Sequence, residues 1–177
     1  LLSIQAKLRL FGGDNREARR LCVLCVEAVA QAPTGPDGDA PVLTDAVSTL
    51  LRAGDREEAL LVTDRFLQPM FEQLTEPIRV CSCGEVIAQV AFASGRMQQA
   101  STAITRCLAA CDQLPHQWAW LRALFYTSIA VIQLGQGRLP DAESALDGAE
   151  ESLKTYRRSS VKGRLGINSV ELMYAYN

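Results

Sequence analysis

One histidine, His116, stands in the whole sequence of 177 residues. That scarcity leaves a multi-histidine metal site without material. No motif sets a nucleophile or an acid beside His116 either, so base catalysis from it is not expected. Long apolar runs are missing as well. The longest, around Trp118 to Leu134, is interrupted by Arg122 and Gln133 and is too short to span a bilayer. No basic start followed by an apolar block and a small-residue cleavage site marks a secretion signal. Charge of one sign is not in excess either: 18 Lys and Arg stand against 20 Asp and Glu, for a formal net charge of −2. A general polyanion-binding role is therefore not suggested, and direct nucleic-acid contact by this segment is not expected. There is no GxxxxGK[ST] phosphate loop and no recognition-helix segment. Strand signals are weak, with no Asn-Gly or Asp-Gly turn between alternating apolar runs.

What the chain does have is apolar content, 48% of its residues, enough to bury a core. Six cysteines fall as Cys22-x-x-Cys25, Cys81-x-Cys83 and Cys107-x-x-x-Cys111. A closed zinc site wants four nitrogen or sulfur ligands, commonly from knuckles in turns. Here Cys22 and Cys25 fall mid-helix, Cys81 and Cys83 are tightly spaced, and a redox reading of CxxC lacks a βαβ setting. Buried thiols acting as small hydrophobes in a reducing, cytoplasmic setting are the simpler expectation, with no metal and no cofactor.

A six-residue motif returns four times. It reads GDNREA ending at Ala18, GDREEA at Ala59, GRMQQA at Ala100 and GRLPDA at Ala142, with the alanines 41, 41 and 42 residues apart. Each is opened by a glycine five positions earlier: Gly13, Gly54, Gly95 and Gly137. A repeat of this period denotes an array of one supersecondary unit. Before Gly54 the apolar residues Leu43, Ala46, Val47, Leu50 and Leu51 follow helical spacing, and after it Ala59, Val62, Thr63, Phe66 and Leu67 do so again. The glycine can take positive φ and end the first helix. Asp14 and Asp55 are then placed to cap the second, and Pro140 sits in a first turn, where its missing N–H costs nothing. The alanine permits a close helix crossing. Seven residues on, Cys25, Phe66, Cys107 and Ala149 suggest a second close contact.

The breakers lie between units. Ala32 to Pro41 is expected to be a mobile loop. Pro69 is expected to end or kink its helix near Gln68. Leu114-Pro115-His116 separates the third unit from the fourth. The units run about 1–32, 41–75, 77–114 and 116–156, within a single repeat domain spanning 1–177. A partial fifth unit, 161–177, carries Leu165, Val170, Leu172, Met173 and Ala175. With no initiator methionine, and with the next glycine and alanine falling just past Asn177, the chain is expected to be a fragment of a longer array.

A G-D-x-x-E-A turn between paired helices resembles the tetratricopeptide repeat, whose small residue twelve positions before the alanine is matched by Ala6, Ala88 and Ala130. Val47 departs from that pattern, the period exceeds the family's, and the family's first-helix aromatic is present only as Tyr126. The resemblance implies an all-α, right-handed superhelix of antiparallel helical hairpins, a TPR-like α-solenoid of four hairpins plus one further helix. Longer, degenerate units of this kind are similar to the sensor superhelix of MalT-like, LuxR-family bacterial transcription regulators.

In the family the first helices line a concave groove. Carried over position by position, that groove would present Ser3, Lys7, Leu10 and Phe11; Thr44, Ser48, Leu51 and Arg52; Ser82, Glu85, Gln89 and Phe92; and Leu124, Thr127, Val131 and Leu134. Lys7, Thr44, Ser48, Arg52, Glu85, Gln89 and Thr127 are the candidate contacts to a protein, a peptide or a small-molecule inducer. The implied function is non-catalytic recognition, as the sensing part of a LuxR-type regulator. The alternatives are a helical accessory domain of a multidomain enzyme, or a free-standing scaffold that oligomerises through its apolar C-terminal helix. Two further clusters have plainer readings. His116 with Trp118 and Trp120 is a linking turn, and Lys154, Arg157, Arg158, Lys162 and Arg164 are a solvated helix end.

Overall fold

Apolar residues at helical spacing fold into helices along this chain, and glycines with positive φ separate them. The structure, a computed structural model, describes residues 1–160, and every regular element among them is helical. In chain order they are α1 (Leu2–Phe11), α2 (Asn15–Gln31), α3 (Pro36–Arg52), α4 (Arg56–Val62), a π-helical segment (Thr63–Leu67) and α5 (Gln68–Gln73). Then come α6 (Pro77–Ala93), α7 (Met97–Cys111), a 3₁₀ turn (His116–Trp118), α8 (Ala119–Gly135) and α9 (Leu139–Ser160). Two compact units result, one of Leu1–Ala110 and one from Cys111 onward. The expected fifth unit, 161–177, lies outside the described residues, as do Lys162 and Arg164 of the basic cluster.

The four motif turns share one hydrogen-bond geometry. Gly13, Gly54, Gly95 and Gly137 have φ of +80°, +82°, +74° and +72°. In each turn the next N–H donates to the carbonyl five residues back: Asp14 to Arg9 (2.9 Å), Asp55 to Leu50 (2.9 Å), Arg96 to Ala91 (2.8 Å) and Arg138 to Gln133 (2.9 Å). This bond satisfies a last-turn carbonyl while the chain reverses, the Schellman arrangement. The motif alanine then donates to the carbonyl of the residue after the glycine, at 3.0 to 3.1 Å, and starts the second helix. Ala18, Ala59 and Ala100 are 0% exposed and Ala142 is 2% exposed, so each alanine is a contact point between paired helices.

Capping follows expectation once and departs from it once. Asp14 accepts the Glu17 N–H at 3.1 Å. Asp55 makes no such bond. Its carboxylate instead lies 3.9 Å from Arg19 Nε, whose guanidinium also donates to the Ala53 carbonyl at the end of α3. The arginine of the preceding hairpin draws the aspartate away from its own helix.

One loop expectation is corrected and another is refined. Ala32 to Pro41 is not a loop throughout, because α3 starts at Pro36. Proline is tolerated in a first turn, and the buried carboxylate of Asp39 pins the entry. It accepts the Thr34 hydroxyl at 2.7 Å and the N–H groups of Thr34 and Gly35 at 2.9 and 3.0 Å. Of the two outcomes expected of Pro69, ending or kinking its helix, the first does not occur, and the distortion falls just before Gln68. The five residues Thr63–Leu67 wind as a π-turn, with the Gln68 N–H reaching the Thr63 carbonyl, and the helix resumes to Gln73. Proline can neither donate to the carbonyl four residues back nor clear it. One wider turn accommodates that clash.

The π-turn adds one residue to the register. In α2 and α7 the buried positions fall at +3, +4, +7 and +11 from the alanine: Leu21, Cys22, Cys25, Val29 and Ala103, Ile104, Cys107, Cys111. In the second hairpin they fall at +3, +4, +8 and +12: Val62, Thr63, Leu67 and Phe71. Leu67 therefore takes the contact expected of Phe66, which is only half-buried.

Between α6 and α7 the approach is closer still. A Cβ at Gly84 would stand 2.4 Å from Cys107 Sγ and 2.9 Å from the Phe71 ring, so only glycine fits. Arg106 of α7 reaches back to the end of α5, donating to the carbonyls of Phe71 (2.6 Å) and Leu74 (2.9 Å) while lying over the Phe71 ring. The Phe71 carbonyl also accepts the Leu74 N–H at 3.2 Å, and the guanidinium fork adds a second donor at this helix end.

In the second unit α8 pairs with α9, and Ala130, Ala142 and Ala145 form a small core with Ile129 against it. The Tyr126 ring packs over Gly148, where a Cβ would come within 3.0 Å. Pro140 lies in the first turn of α9, as expected. His116 is exposed in its short 3₁₀ turn. The rings of Trp118 and Trp120 lie 6.1 Å apart, Arg122 pairs with Asp112, and Lys154 pairs with Glu150 at 2.9 Å.

Candidate functional site

Six of the seven candidate contacts lie on the first helices of the first unit. There α1 touches α3, and α3 touches α6, so these helices form a row. Thr44, Ser48 and Arg52 stand at i, i+4 and i+8, one face of α3. Thr44 and Ser48 are half-buried and Arg52 is exposed. Glu85 and Gln89 repeat the i, i+4 relation on α6, and the Gln89 amide donates to the Glu85 carboxylate at 3.1 Å.

Some of these residues serve the scaffold as much as the surface. Lys7 of α1 donates to Asp45 of α3 at 2.6 Å, so its ammonium is held by a neighbouring helix. The Thr44 hydroxyl lies beside the Cys83 thiol of α6 and partly offsets the effect of that thiol's burial. Arg52 is exposed at the C-terminal end of α3. Burial pushes the Glu85 carboxyl above its ordinary pKa. Thr127 belongs to the second unit, and its hydroxyl donates to the Ala123 carbonyl of its own helix at 2.9 Å.

The cysteines pack. All six are buried thiols. Burial drives Cys22 and Cys83 up to about 12 and Cys25 in the same direction. Cys107 Sγ donates to the carbonyls of Val80 and Cys81 at 3.5 and 3.7 Å, across the crossing that Gly84 permits. Thiols held protonated are poor nucleophiles and poor metal ligands. Among the described residues no group of three or more His, Cys, Asp or Glu side chains is placed to hold a metal ion. Among them, too, no helix is long and apolar enough to cross a membrane.

Several residues that shape this surface gave no signal in the motif. Asp45 neutralises Lys7, yet it lies one residue beyond a carried-over position. Arg19 and Arg106 bond across hairpins, and pairing between helices has no fixed sequence spacing. Gly84 was the most legible of them, since a glycine inside a helix usually marks a close approach.

A pocket of about 430 Å³ lies elsewhere, between α1 and α2, lined by Gln5, Leu8, Arg9, Glu17, Arg20 and Leu21. On α1, Ile4 (58%), Leu8 (65%) and Phe11 (65%) are exposed at helical spacing, and Leu8 lines the pocket.

No protein-family model matches this chain, and no curated protein matches it. Among solved structures, the crystal structure of BtubC (BKLC) from P. vanneervenii superposes with a TM-score of 0.71 at 18% sequence identity. The match covers 94% of this chain and 65% of that one, so this chain spans just under two thirds of its length. At that identity the likeness is one of fold: both are helical chains with a shared helix arrangement.

Proposed function

We propose that this chain is a non-catalytic recognition module, a TPR-like right-handed solenoid whose first helices offer a groove to a peptide or partner helix. The observation that supports this most is the row of α1, α3 and α6, with Ser48, Arg52, Glu85 and Gln89 left half-buried or exposed on it. The chemistry there is that of hydrogen bonding: hydroxyls, an amide, a guanidinium and a carboxyl. Such a surface suits the main chain and polar side chains of an extended segment. In its narrower form the proposal makes the module the sensing part of a bacterial LuxR-type regulator, with a small inducer or a protein as its ligand. A helical accessory domain of a multidomain enzyme would use the same surface against a catalytic neighbour.

Selection of a random peptide library on the immobilised chain, followed by titration of the winners, tests the reading. Ser48→Ala, Arg52→Ala, Glu85→Gln and Gln89→Ala are each expected to weaken the selected peptides about tenfold or more, the loss typical of a buried polar contact at an interface. Peptides that bind equally well to all four variants, but lose affinity when exposed residues of α2 or α7 are changed, would place recognition on the other face.

A further inference from the structure

We infer that a bound peptide presents a basic side chain, an arginine or a lysine, to Glu85 on the groove face of α6. The inference rests on the groove reading above and supplies the chemistry of its partner. It begins with the repeat register, counted back from each motif alanine. Lys7 stands 11 residues before Ala18, and Asp45 stands 14 before Ala59. Their ion pair, at 2.6 Å, joins α1 to α3. At this step of the row an acid is met by a base from the preceding first helix.

At the next step, from α3 to α6, the equivalent positions are Ser48 and Val86, and neither carries a charge. An acid is present all the same, because Glu85 adjoins Val86. Thr44 lies beside Cys83, so in this register Glu85 falls level with the turn of α3 between Thr44 and Ser48. Glu85 is half-buried, and its side chain takes one hydrogen bond, from the neutral amide of Gln89 at 3.1 Å. Among the described residues no base forms an ion pair with it. Its pKa is raised by burial, with no neighbouring base to lower it. A carboxylate partly withdrawn from water gains most from a charged donor. Guanidinium and ammonium groups donate without accepting, and the Ser48 hydroxyl and the Gln89 amide oxygen add acceptors beside the carboxylate. The array supplies its own base at the first step and leaves the second to a partner.

A positional-scanning peptide library on the immobilised chain tests this, with one position fixed in turn as Arg, Lys, Glu or Leu and the others randomised. Arg or Lys is expected to be preferred at one position. Replacing it there with citrulline or norleucine, which keep the length and lose the charge, should weaken binding about tenfold or more. On Glu85→Gln that difference should vanish, the mark of a direct pair. The uncharged peptides should bind Glu85→Gln as they bind the wild type, which also shows that the variant is folded. Winners with no basic preference that still lose affinity on Ser48→Ala or Gln89→Ala would overturn this inference and leave the groove standing. A basic preference that persists on Glu85→Gln would overturn it too, placing the base elsewhere. Winners indifferent to every groove variant would remove the groove and this inference together.

Discussion

Residue by residue, this scaffold is held by small and sulfur-bearing side chains where larger domains use rings. Ala18, Ala59, Ala100 and Ala142 set the helix separation, and Cys22, Cys25, Cys83 and Cys107 fill the next layer. The burial that makes those thiols good packing atoms also ties stability to pH. Cys22 and Cys83 titrate near 12 in the folded chain, against 9.0 for an unhindered thiol. A group whose pKa is raised by folding contributes its full stabilisation below the unfolded value and loses it as pH climbs towards the folded one. Stability should therefore be insensitive to these thiols below pH 9. Between about 9 and 12 it should fall progressively, each of the two thiols contributing to the loss. Urea melts across this window, on the wild type and on Cys22→Ala, isolate the term. The variant will be less stable at neutral pH because a buried atom is removed, yet its alkaline slope should be shallower by one thiol's share. Equal slopes would show that Cys22 is solvated in the folded state.

Among the elements, the second hairpin shows what the sequence could and could not convey. Helix, glycine turn and helix were legible in all four units, because a positive-φ glycine and an alanine at a crossing are local requirements with fixed spacing. The π-turn at Thr63–Leu67 was not legible, though its cause was: Pro69 predicts a disturbance, but not whether the helix stops, bends or widens. Packing decides that question. A wider turn costs one poorly bonded residue, while a stop would strand Phe71 and Leu74, which are 3% and 2% exposed, outside the core. The proposed groove was legible only in outline. Spacing placed Thr44, Ser48, Arg52, Glu85 and Gln89 on shared faces, but the partners that engage Lys7 and Thr44 depend on which helices meet. A deletion tests the account of the π-turn. Removing Arg65 brings Leu67 to +7 from Ala59, the register of α2 and α7, and Pro69→Ala removes the reason for the extra residue. The double change is expected to keep the melting temperature of the wild type or raise it, whereas deleting Arg65 alone restores the proline clash and should cost about 3 kcal/mol. A double variant as unstable as the single deletion would mean that the π-turn serves some need other than Pro69.

At the scale of the molecule, four turns with one hydrogen-bond pattern make the hairpin the unit of stability, and a repeat protein's stability is a sum of unit and nearest-neighbour terms. Ion pairs and capping arginines link adjacent hairpins of the first unit: Lys7 with Asp45, Arg19 with the turn at Gly54, Arg96 with Asp64 at 2.8 Å, and Arg106 with the end of α5. Stability lost in one hairpin should therefore reach its neighbours and fade beyond them. Gly95 is a clean place to apply such a loss. It sits at φ +74°, and a Cβ there would meet no atom within 4 Å, so Gly95→Ala changes backbone strain and nothing else. Forcing an alanine into that left-handed conformation costs about 1–2 kcal/mol. Amide hydrogen exchange should then show protection lowered by roughly that amount in α6 and α7, by less in α3 and α5, and scarcely at all in α1 and α2. A two-state domain would behave differently, losing the same free energy at every globally exchanging amide. A uniform drop across α1 to α7 would therefore establish one cooperative body and remove the nearest-neighbour account.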